Sequence, residues 1–367
     1  MADRIRVGII GVGWGSAVLA PAFNAVPEFE LVALCSRREE RVRKAAEPLG
    51  ITDISTDWQQ LVARDDLDLI AVCTPTDLHH EQTIAALRAG KHVLCEKPVA
   101  LDTAQAKEML EVARGSGLVH AVDFEGRWLI DRLAVWDRVT EGYVGDPYHL
   151  RFTSTADYWH PSRGLQSEWM YSIDDGGGYL MGMGSHDIDF ACALLGKPVS
   201  VCADVRTTIP SRARDDGSQL TVTADDTSTV LLRFESGATA TISTSTMGLH
   251  RDQRDLELYG SEGTLTVEGP VMTSPDNVVV RGGRLGDAGL SVIPHSDRMP
   301  RSGVELPKRR TWGAVRALAL MLEDLLPAFD GTKTRVPDLY DGWVVQSVVD
   351  AARQSSAGAG WVDLDLS

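Results

Sequence analysis

Residues 5–16 have the sequence Ile5-Arg6-Val7-Gly8-Ile9-Ile10-Gly11-Val12-Gly13-Trp14-Gly15-Ser16, which predicts a strand that ends in a glycine-rich turn. The apolar segment 17–23 then predicts a helix. Gly11 permits a tight turn, Gly13 lets the backbone approach a pyrophosphate, and the start of the helix offers free N–H groups to an anion. The third position of this G-x-G-x-x-G pattern is Ser16, which is small enough for close packing of helix and strand. The stretch predicts a dinucleotide-binding turn, with an ordinary glycine-rich turn as the alternative.

The alternation of strand and helix continues as far as residue 123. Further strands are predicted at 30–35, 69–73, 92–96 and 118–122, and further helices at 38–49, 77–89 and 103–113. Thr76 or Asp77 is predicted to cap the second of these helices, and Asp102 the third. Such an alternation builds a parallel sheet, and ligands bind at the carboxyl ends of its strands.

The end of the second strand bears on the choice of nucleotide. It is followed by Ser36, Arg37 and Arg38, at about the position where dinucleotide folds meet the adenosine ribose. No acidic residue is present there to accept hydrogen bonds from a 2′-hydroxyl. Guanidinium groups form charge-assisted bonds to phosphate, so NADP is preferred over NAD. The two arginines could equally lie on a helix surface or stack on adenine.

The stretch Val93-Leu94-Cys95-Glu96-Lys97-Pro98 predicts a strand that delivers a lysine to the same sheet edge. A lysine changes protonation readily when it is desolvated, and its charge can stabilise an oxygen that becomes negative in a transition state. Pro98 restricts the backbone of Lys97 and so restricts where its side chain points. A surface ion pair between Glu96 and Lys97 is the alternative.

Several motifs together resemble one known family. They are Gly8-Ile9-Ile10-Gly11-Val12-Gly13-Trp14-Gly15, Thr74-Pro75-Thr76-Asp77-Leu78-His79, Ala89-Gly90-Lys91-His92-Val93-Leu94-Cys95-Glu96-Lys97-Pro98, Gly184-Ser185-His186-Asp187-Ile188-Asp189, Asp341-Gly342 and Val349-Asp350-Ala351-Ala352-Arg353-Gln354-Ser355. They look like the Gfo/Idh/MocA family, which contains glucose-fructose oxidoreductase and inositol dehydrogenase-like enzymes. The resemblance covers essentially the whole chain.

The resemblance implies an α/β protein with two domains. Residues 1–123 would form a Rossmann dinucleotide-binding domain, and residues 124–367 an α/β domain with a large open, mainly antiparallel sheet for substrate binding and oligomerisation. The C-terminal helices could pack back on the first domain. The resemblance also implies a tightly held NAD(P), hydride transfer at a carbohydrate or polyol carbinol, a cis peptide bond before Pro98, and a homodimer or homotetramer.

The cofactor and catalytic roles follow from the motifs and the resemblance. The residues expected to bind the cofactor are Gly11, Gly13, Trp14 and Gly15 at the pyrophosphate, Ser36 and Arg37 at the adenosine end, and Thr74, Pro75, His79, Glu96 and Lys97 on the nicotinamide side. Lys97 is expected to hold the reacting oxygen of the substrate.

His186 is the second predicted catalytic residue. It lies near the start of a predicted helix that runs to Leu195 and stops at Gly196. A neutral histidine there could take the carbinol proton as the hydride leaves. Gly182 stands where the family usually has a carboxylate, which leaves room for a bulkier or pre-oxidised sugar, and Asp189 could orient the imidazole. A histidine packed in the core is the alternative.

Three further residues are candidate ligand contacts. Arg127 matches an arginine that is frequent near the family's substrate pocket, with an ion pair to Glu125 or Asp131 as the alternative. Trp159 lies in an irregular aromatic stretch of the kind that grips sugars, although an oligomer contact would fit equally well. His250 follows a predicted strand, which makes a pocket contact a weaker hypothesis.

Composition excludes several classes of protein. The formal net charge of −16 has the wrong sign for binding nucleic acid or an anionic membrane. The five cysteines show no CxxC spacing, no cluster has metal-ligand spacing, and no apolar run could cross a bilayer. A protein of the reducing cytoplasm, with a small carbohydrate as its partner and no bound metal, is expected.

The sequence therefore predicts an NADP(H)-preferring sugar or polyol dehydrogenase or ketoreductase. One alternative is redox-assisted sugar elimination or glycoside cleavage with recycled NAD. The other is a catalytically silent NADP-binding sensor or partner subunit. Gly182 motivates the latter, whereas the presence of both Lys97 and His186 speaks against it.

Overall fold

The computed structural model describes residues 4–270, 278–295, 298–302 and 311–367. Their contacts divide the chain into two compact units. The first unit comprises Met1–Trp128 and Arg298–Trp343, and the second comprises Leu129–Asp297 and Val344–Ser367. Residues 298–343 thus fall with the N-terminal part of the chain, although more than 160 residues separate them from it.

A parallel sheet of six strands forms the first unit's centre. Its strands are β1 Ile5–Ile10, β2 Phe29–Cys35, β3 Asp53–Ser55, β4 Leu69–Val72, β5 His92–Cys95 and β6 His120–Val122. Its helices are α1 Ala20–Asn24, α2 Glu39–Ala46, α3 Trp58–Val62, α4 His79–Arg88 and α5 Thr103–Ser116. The strand order β3-β2-β1-β4-β5-β6 reverses direction between β1 and β4, where a doubly wound sheet opens a crevice for a ligand. The predicted Rossmann fold is confirmed.

Helix caps in this unit agree with the prediction in one case and differ in the other. The Asp102 carboxylate accepts from the Gln105 N–H at 2.8 Å and so begins α5 as predicted. The predicted cap of α4 by Thr76 or Asp77 is wrong. Residues Thr76–Leu78 form a 3₁₀ turn instead, and α4 begins at His79 without a side-chain cap.

The second unit contains a mixed sheet of nine strands, in the order β16-β15-β14-β13-β7-β12-β11-β8-β17. The strands are β7 Pro147–Thr155, β8 Pro198–Arg206, β11 Thr227–Phe234, β12 Thr239–Ser245, β13 Gln253–Gly260, β14 Gly263–Gly269, β15 Val279–Arg284, β16 Ser291–Val292 and β17 Val362–Asp363, and β9 Ser211–Ala213 pairs separately with β10 Gln219–Thr221. Among the described strands of this sheet, only β7 and β12 pair in parallel. The mainly antiparallel sheet is as predicted.

Helices cover the inner face of this sheet. In β11 buried and exposed residues alternate, because successive side chains of a strand point to opposite faces. Helices α6 Ile130–Thr140 and α7 Ser185–Leu195 contact the sheet. The described residues also form the helices α8 Trp312–Leu325 and α9 Leu339–Gln354.

Residues 281–310 are rich in Gly and Pro and have little apolar patterning, which predicts a loop, and this prediction is wrong for part of the stretch. Arg281 to Arg284 complete β15, and β16 pairs with it. Glycines at 282 and 283 weaken the strand signal in the sequence, but pairing with β14 holds them extended. Residues 296, 297 and 303–310 lie outside the described residues.

Candidate active site

The glycine turn after β1 has a geometry that only glycine permits. Gly11 has φ +107°, and its N–H donates to the Cys35 carbonyl at 2.9 Å. A Cβ on Gly11 would lie 2.0 Å from the Cys73 carbonyl oxygen, so no side chain fits. A Cβ on Gly13, by contrast, would meet nothing within 4 Å. The turn is thus tightly packed at Gly11 and open at Gly13. The open backbone at Gly13 fits contact with a pyrophosphate.

The residues after the turn keep its open side accessible. The Ser16 hydroxyl donates to the Val12 carbonyl at 2.6 Å, so the serine closes the turn on itself. A π-helical turn, Gly15–Leu19, leads into α1. Trp14 is 38% exposed and stands beside the turn. Its indole is available to a ligand, and its cofactor role stays a prediction.

The proposed selectivity residues lie at the carboxyl end of β2. Ser36 donates its backbone N–H to the Ser55 carbonyl at 3.1 Å, which fixes the start of the loop. Arg37 and Arg38 are exposed, and Arg38 immediately precedes α2. Neither guanidinium forms an ion pair with any described residue, so both are free to meet an anion.

His79 ties together the loops that follow β4 and β5. Its Nε2 lies 2.8 Å from the Thr74 carbonyl oxygen, and its Nδ1 lies 2.8 Å from that of Pro98. Burial lowers the pKa of His79, while the two carbonyl contacts oppose that shift. The imidazole is only 1% exposed, so it would shape the nicotinamide side by positioning both loops rather than by touching a ligand.

Lys97 lies just past the end of β5, on the edge that carries the glycine turn. The Lys97–Pro98 peptide bond is cis, as the family resemblance implies. The Glu96 N–H donates to the Val72 carbonyl at 2.8 Å, and the Glu96 carboxylate accepts from the Lys97 N–H at 3.0 Å. Glu96 is therefore a buried residue that orders the backbone at Lys97.

Two acidic residues beside Glu96 were missed by the sequence reasoning. Strands β5 and β6 pair in parallel with Cys95 opposite Val122, so Asp123 neighbours Glu96. Asp123 is fully buried, and Glu125 is nearly so. Burial raises the pKa of Glu96 to about 7, with Lys97 opposing and Glu125 reinforcing the shift. The sequence signal that could have identified the pair is an acidic residue directly after the last buried residue of β5 and of β6.

Arg127 lies in a buried position of the first unit. Its guanidinium donates to the Asp341 carboxylate at 3.1 Å and to the Arg335 carbonyl at 3.2 Å. The Asp131 carboxylate accepts from Arg254 at 2.9 Å, and the alternative ion pair of Arg127 with Glu125 or Asp131 stays a prediction. The predicted substrate contact of Arg127 stays a prediction.

In the second unit, His186 lies in the first turn of α7. A π-helical turn, Leu180–Gly184, leads into this helix, and the Asp225 carboxylate accepts from the Leu180 N–H at 2.7 Å. A Cβ on Gly182 would meet nothing within 4 Å. The position of the family's usual carboxylate is thus open space. Asp189 is buried farther along the same helix.

Buried ion pairs hold the first turn of α7. Arg132 on α6 donates to the His186 carbonyl at 3.0 Å and is bonded to the Asp187 carboxylate. Its neighbour Asp131 pairs with Arg254 of β13. Burial raises the pKa of Asp187 to about 6, against the lowering effect of Arg132 and Arg254. Asp187 therefore anchors the first turn of α7 to α6 through Arg132, and this contact also fixes the backbone of its neighbour His186.

Two other predicted contacts have different surroundings. Trp159 is packed with Tyr171 and Tyr179, at ring-centroid distances of 5.4 and 5.5 Å, in a buried aromatic cluster. His250 is exposed, with φ +64°, in the loop after β12. Both contacts stay predictions.

The described residues contain no group of three or more His, Cys, Asp or Glu side chains that could hold a metal ion. In the same residues, no helix has the length and apolar character needed to cross a bilayer.

A Rossmann sheet that carries a glycine-rich turn and a lysine at the edge where ligands bind is characteristic of a dinucleotide-binding oxidoreductase. Residues 5–124 match the profile described as "Oxidoreductase family, NAD-binding Rossmann fold", and residues 133–266 match the "GFO/IDH/MocA C-terminal domain". The chain belongs to the Gfo/Idh/MocA family. The predicted fold and the predicted class of enzyme, an NAD(P)-dependent dehydrogenase, are thereby confirmed.

Relatives span much of the chain. It is 29% identical over 262 residues to myo-inositol 2-dehydrogenase of Thermotoga maritima, covering 71% of this chain and 74% of that protein. It is 32% identical over 307 residues to dTDP-3,4-didehydro-2,6-dideoxy-alpha-D-glucose 3-reductase of Actinomadura kijaniata, covering 82% and 86%. A solved levoglucosan dehydrogenase in complex with NADH superimposes with a TM-score of 0.85 at 25% identity, over 99% of this chain and all of that one.

Proposed function

We propose that this protein is an NADP-preferring dehydrogenase or ketoreductase that acts on a carbinol or ketone of a sugar or polyol. The observation that carries the proposal is the position of Lys97. It lies at the carboxyl end of β5, and Glu96 orders its backbone. The same edge of the sheet carries the glycine-rich turn Gly11–Gly13, which is open at Gly13. A cation at this edge is well placed to stabilise charge on an oxygen beside a nicotinamide.

Each predicted catalytic residue has a separate task. The nicotinamide, when bound, accepts or supplies the hydride. The Lys97 ammonium donates hydrogen bonds to the reacting oxygen, where negative charge develops as hydride leaves the neighbouring carbon. The His186 imidazole accepts the hydroxyl proton in oxidation and returns it in reduction. Arg132 keeps the His186 backbone fixed through its carbonyl.

The nucleotide preference rests on the free cations after β2. Arg37 and Arg38 are exposed and form no ion pair with the described residues, and neither they nor Ser36 offers a carboxylate to a 2′-hydroxyl. The levoglucosan dehydrogenase structure contains NADH, so NAD serves as the natural comparison nucleotide.

The substrate class rests on the relatives and on Gly182. The similar proteins are named for an inositol, a nucleotide-linked deoxysugar and levoglucosan, all of which are polyols or sugars. Because Gly182 leaves open space where the family usually has a carboxylate, the proposed substrate includes bulkier or nucleotide-linked sugars. We further propose a cytoplasmic homodimer or homotetramer, which is consistent with five free cysteines and with the family resemblance.

One experiment separates the proposed function from its alternatives. The retained nucleotide is identified, and nicotinamide absorbance is followed with NADP⁺ and NAD⁺ over a panel of sugars, polyols and nucleotide sugars. Lys97→Ala should abolish turnover while nucleotide binding persists, and Lys44→Ala, which removes an exposed lysine from α2, should change little. Arg37→Ala should lower the NADP⁺/NAD⁺ ratio of kcat/KM by about 10-fold or more, the cost of one charged hydrogen bond.

Other outcomes would contradict the proposal. Product formed without net change of NADP(H) would support the elimination reaction. Tight nucleotide binding with no turnover on any compound would support the sensor. If Lys97→Ala instead released the nucleotide, the lysine would be a cofactor anchor rather than a catalyst.

A further inference from the structure

Glu96 and Asp123 form a buried pair of acids that the proposed reaction does not itself require. Both follow the last residues of adjacent parallel strands, because Cys95 lies opposite Val122 in the register of β5 and β6. The Asp123 N–H donates to the Cys95 carbonyl at 2.8 Å, which draws the two backbones together. Their side chains therefore lie next to each other in a buried place.

A pair of this kind holds a proton. The Lys97 N–H satisfies Glu96 Oε2, but Glu96 Oε1 and both Asp123 carboxyl oxygens have no well-aligned donor among the described residues. The Glu125 backbone N–H lowers the pKa of Asp123, but its effect is smaller than that of burial. Two ionised carboxylates cannot lie in contact in a buried place, whereas one shared proton supplies the missing donor.

We propose that Glu96 and Asp123 share one proton and act as a unit that positions Lys97, so that Asp123 is a positioning residue for hydride transfer. The role assigned to Lys97 rests on the proposed function. The proton sharing does not, because it follows from burial and strand register alone.

The number of negative charges beside Lys97 explains why a pair of acids that shares one proton would suit its role. Among the described residues, Lys97 favours ionisation of Glu96 and Glu125 opposes it, and the thiols of Cys73 and Cys95 also interact with both acids. With both acids ionised, two negative charges would hold the ammonium in the sheet edge. With one shared proton, a single negative charge remains, which orients Lys97 and holds its ammonium less strongly, so that its N–H groups can turn to a substrate oxygen.

The direction of the pKa shifts agrees with this arrangement. Burial raises the pKa of Asp123 well above its usual range, with Glu96 as the next cause, and the pKa of Glu96 lies at about 7. Above about pH 7 the pair therefore carries one proton and one negative charge, and below it both acids become neutral.

Infrared spectroscopy of the whole protein tests the proton sharing without any substrate. Difference spectra are recorded from about pH 5 to pH 8 between wild type and each of Asp123→Asn, Glu96→Gln and Glu111→Gln. The last removes an exposed carboxylate of α5 and is the matched control. A carboxylic-acid C=O band that persists above about pH 7 should disappear in the first two variants and remain in the third.

The pH profile of kcat/KM tests the positioning role. Wild-type activity should fall below about pH 7 as the pair becomes neutral. In Asp123→Asn the asparagine N–H donates to the Glu96 carboxylate, so the acid limb should move at least one pH unit lower, with KM for NADP⁺ changed less than about twofold.

Two results would overturn the inference. If no carboxylic-acid band above about pH 6 depended on Asp123, the proton would not be shared. A present band with an unchanged pH profile would mean that the pair is structural and does not act on Lys97. If no sugar is turned over, the proposed function fails while the infrared result still decides the proton sharing.

Discussion

Gly11 and Gly13 show how two residues of one motif have different tasks. Gly11→Ala adds a Cβ 2.0 Å from the Cys73 carbonyl oxygen at φ +107°, so the turn must move. We expect a loss of about 1–3 kcal/mol in the free energy of unfolding, together with loss of nucleotide binding. Urea unfolding and a fluorescence titration with NADP⁺ measure the two effects.

Gly13→Ala is the matched control for that prediction. A Cβ there meets nothing within 4 Å and φ is not positive, so the free energy of unfolding should change by less than about 1 kcal/mol. Nucleotide affinity should still fall, because a methyl group would occupy the place where the pyrophosphate approaches. Unchanged affinity for NADP⁺ would mean that the pyrophosphate does not bind at the backbone of Gly13.

The Glu96–Asp123 pair also predicts how stability depends on pH. Both acids have a raised pKa in the folded protein, so the folded state binds more protons than the unfolded state. Their contribution to stability is present below about pH 4 and is lost as pH rises through about 7 and beyond. Glu96 alone accounts for roughly 3–4 kcal/mol, since its pKa rises from 4.5 to about 7 and each pKa unit corresponds to about 1.4 kcal/mol.

Asp123→Asn isolates that contribution from other titrating groups. The wild-type free energy of unfolding, measured in denaturant from about pH 4 to pH 8, should fall relative to that of the variant as pH rises. Parallel curves for the two proteins would show that the pair titrates normally.

At the scale of elements, α7 is held by charged groups that the sequence pattern places on a helix surface. Adjacent residues Asp131 and Arg132 of α6 reach Arg254 of β13 and Asp187 of α7, respectively. All four are almost fully buried. Local periodicity cannot reveal such pairs, because their partners are 55 and 123 residues away.

Arg132→Met tests this arrangement, because it leaves the Asp187 carboxylate buried without its main counter-charge. We expect a loss of about 3–5 kcal/mol in the free energy of unfolding. The double variant Arg132→Met with Asp187→Leu should recover part of it, because no uncompensated charge remains. Guanidinium unfolding measures all variants.

An exposed ion pair supplies the control. Arg43 pairs with Glu39 on the surface of α2, and Arg43→Met should cost less than about 1 kcal/mol. Equal losses for Arg43→Met and Arg132→Met would mean that burial does not distinguish the two pairs.

For the whole molecule, the sequence predicted local features better than distant ones. The strands around Gly11 and Lys97 were predicted because turn chemistry and apolar runs are local signals. Asp123 was missed because its partner Glu96 lies on a neighbouring strand. The assignment of residues 298–343 to the first unit also rests on contacts between distant segments, which no local pattern encodes.

Those distant segments complete the core of the first unit. Trp128 donates its indole N–H to the Asp324 carboxylate at 2.9 Å, and the Val122 N–H donates to the Pro337 carbonyl at 2.9 Å. The ring of Phe329 packs edge-on against Phe29 at 6.1 Å. Helix α8 is buried along most of its length and contacts α1. The Rossmann sheet therefore depends on residues that follow its own segment by more than 160 positions in the chain.

Fragments of the first unit test that dependence. A fragment of residues 1–123 lacks α8 and leaves the apolar surface of α1 exposed, so we expect it to aggregate or to unfold without cooperativity. Residues 1–128 joined to 298–343 by a flexible glycine-serine linker should fold cooperatively and bind NADP⁺, because the contacts of Trp128 and Phe329 are restored. Circular dichroism during urea unfolding and calorimetric nucleotide titration compare the two. A cooperative, nucleotide-binding 1–123 fragment would contradict the expectation and would place the domain boundary at residue 123.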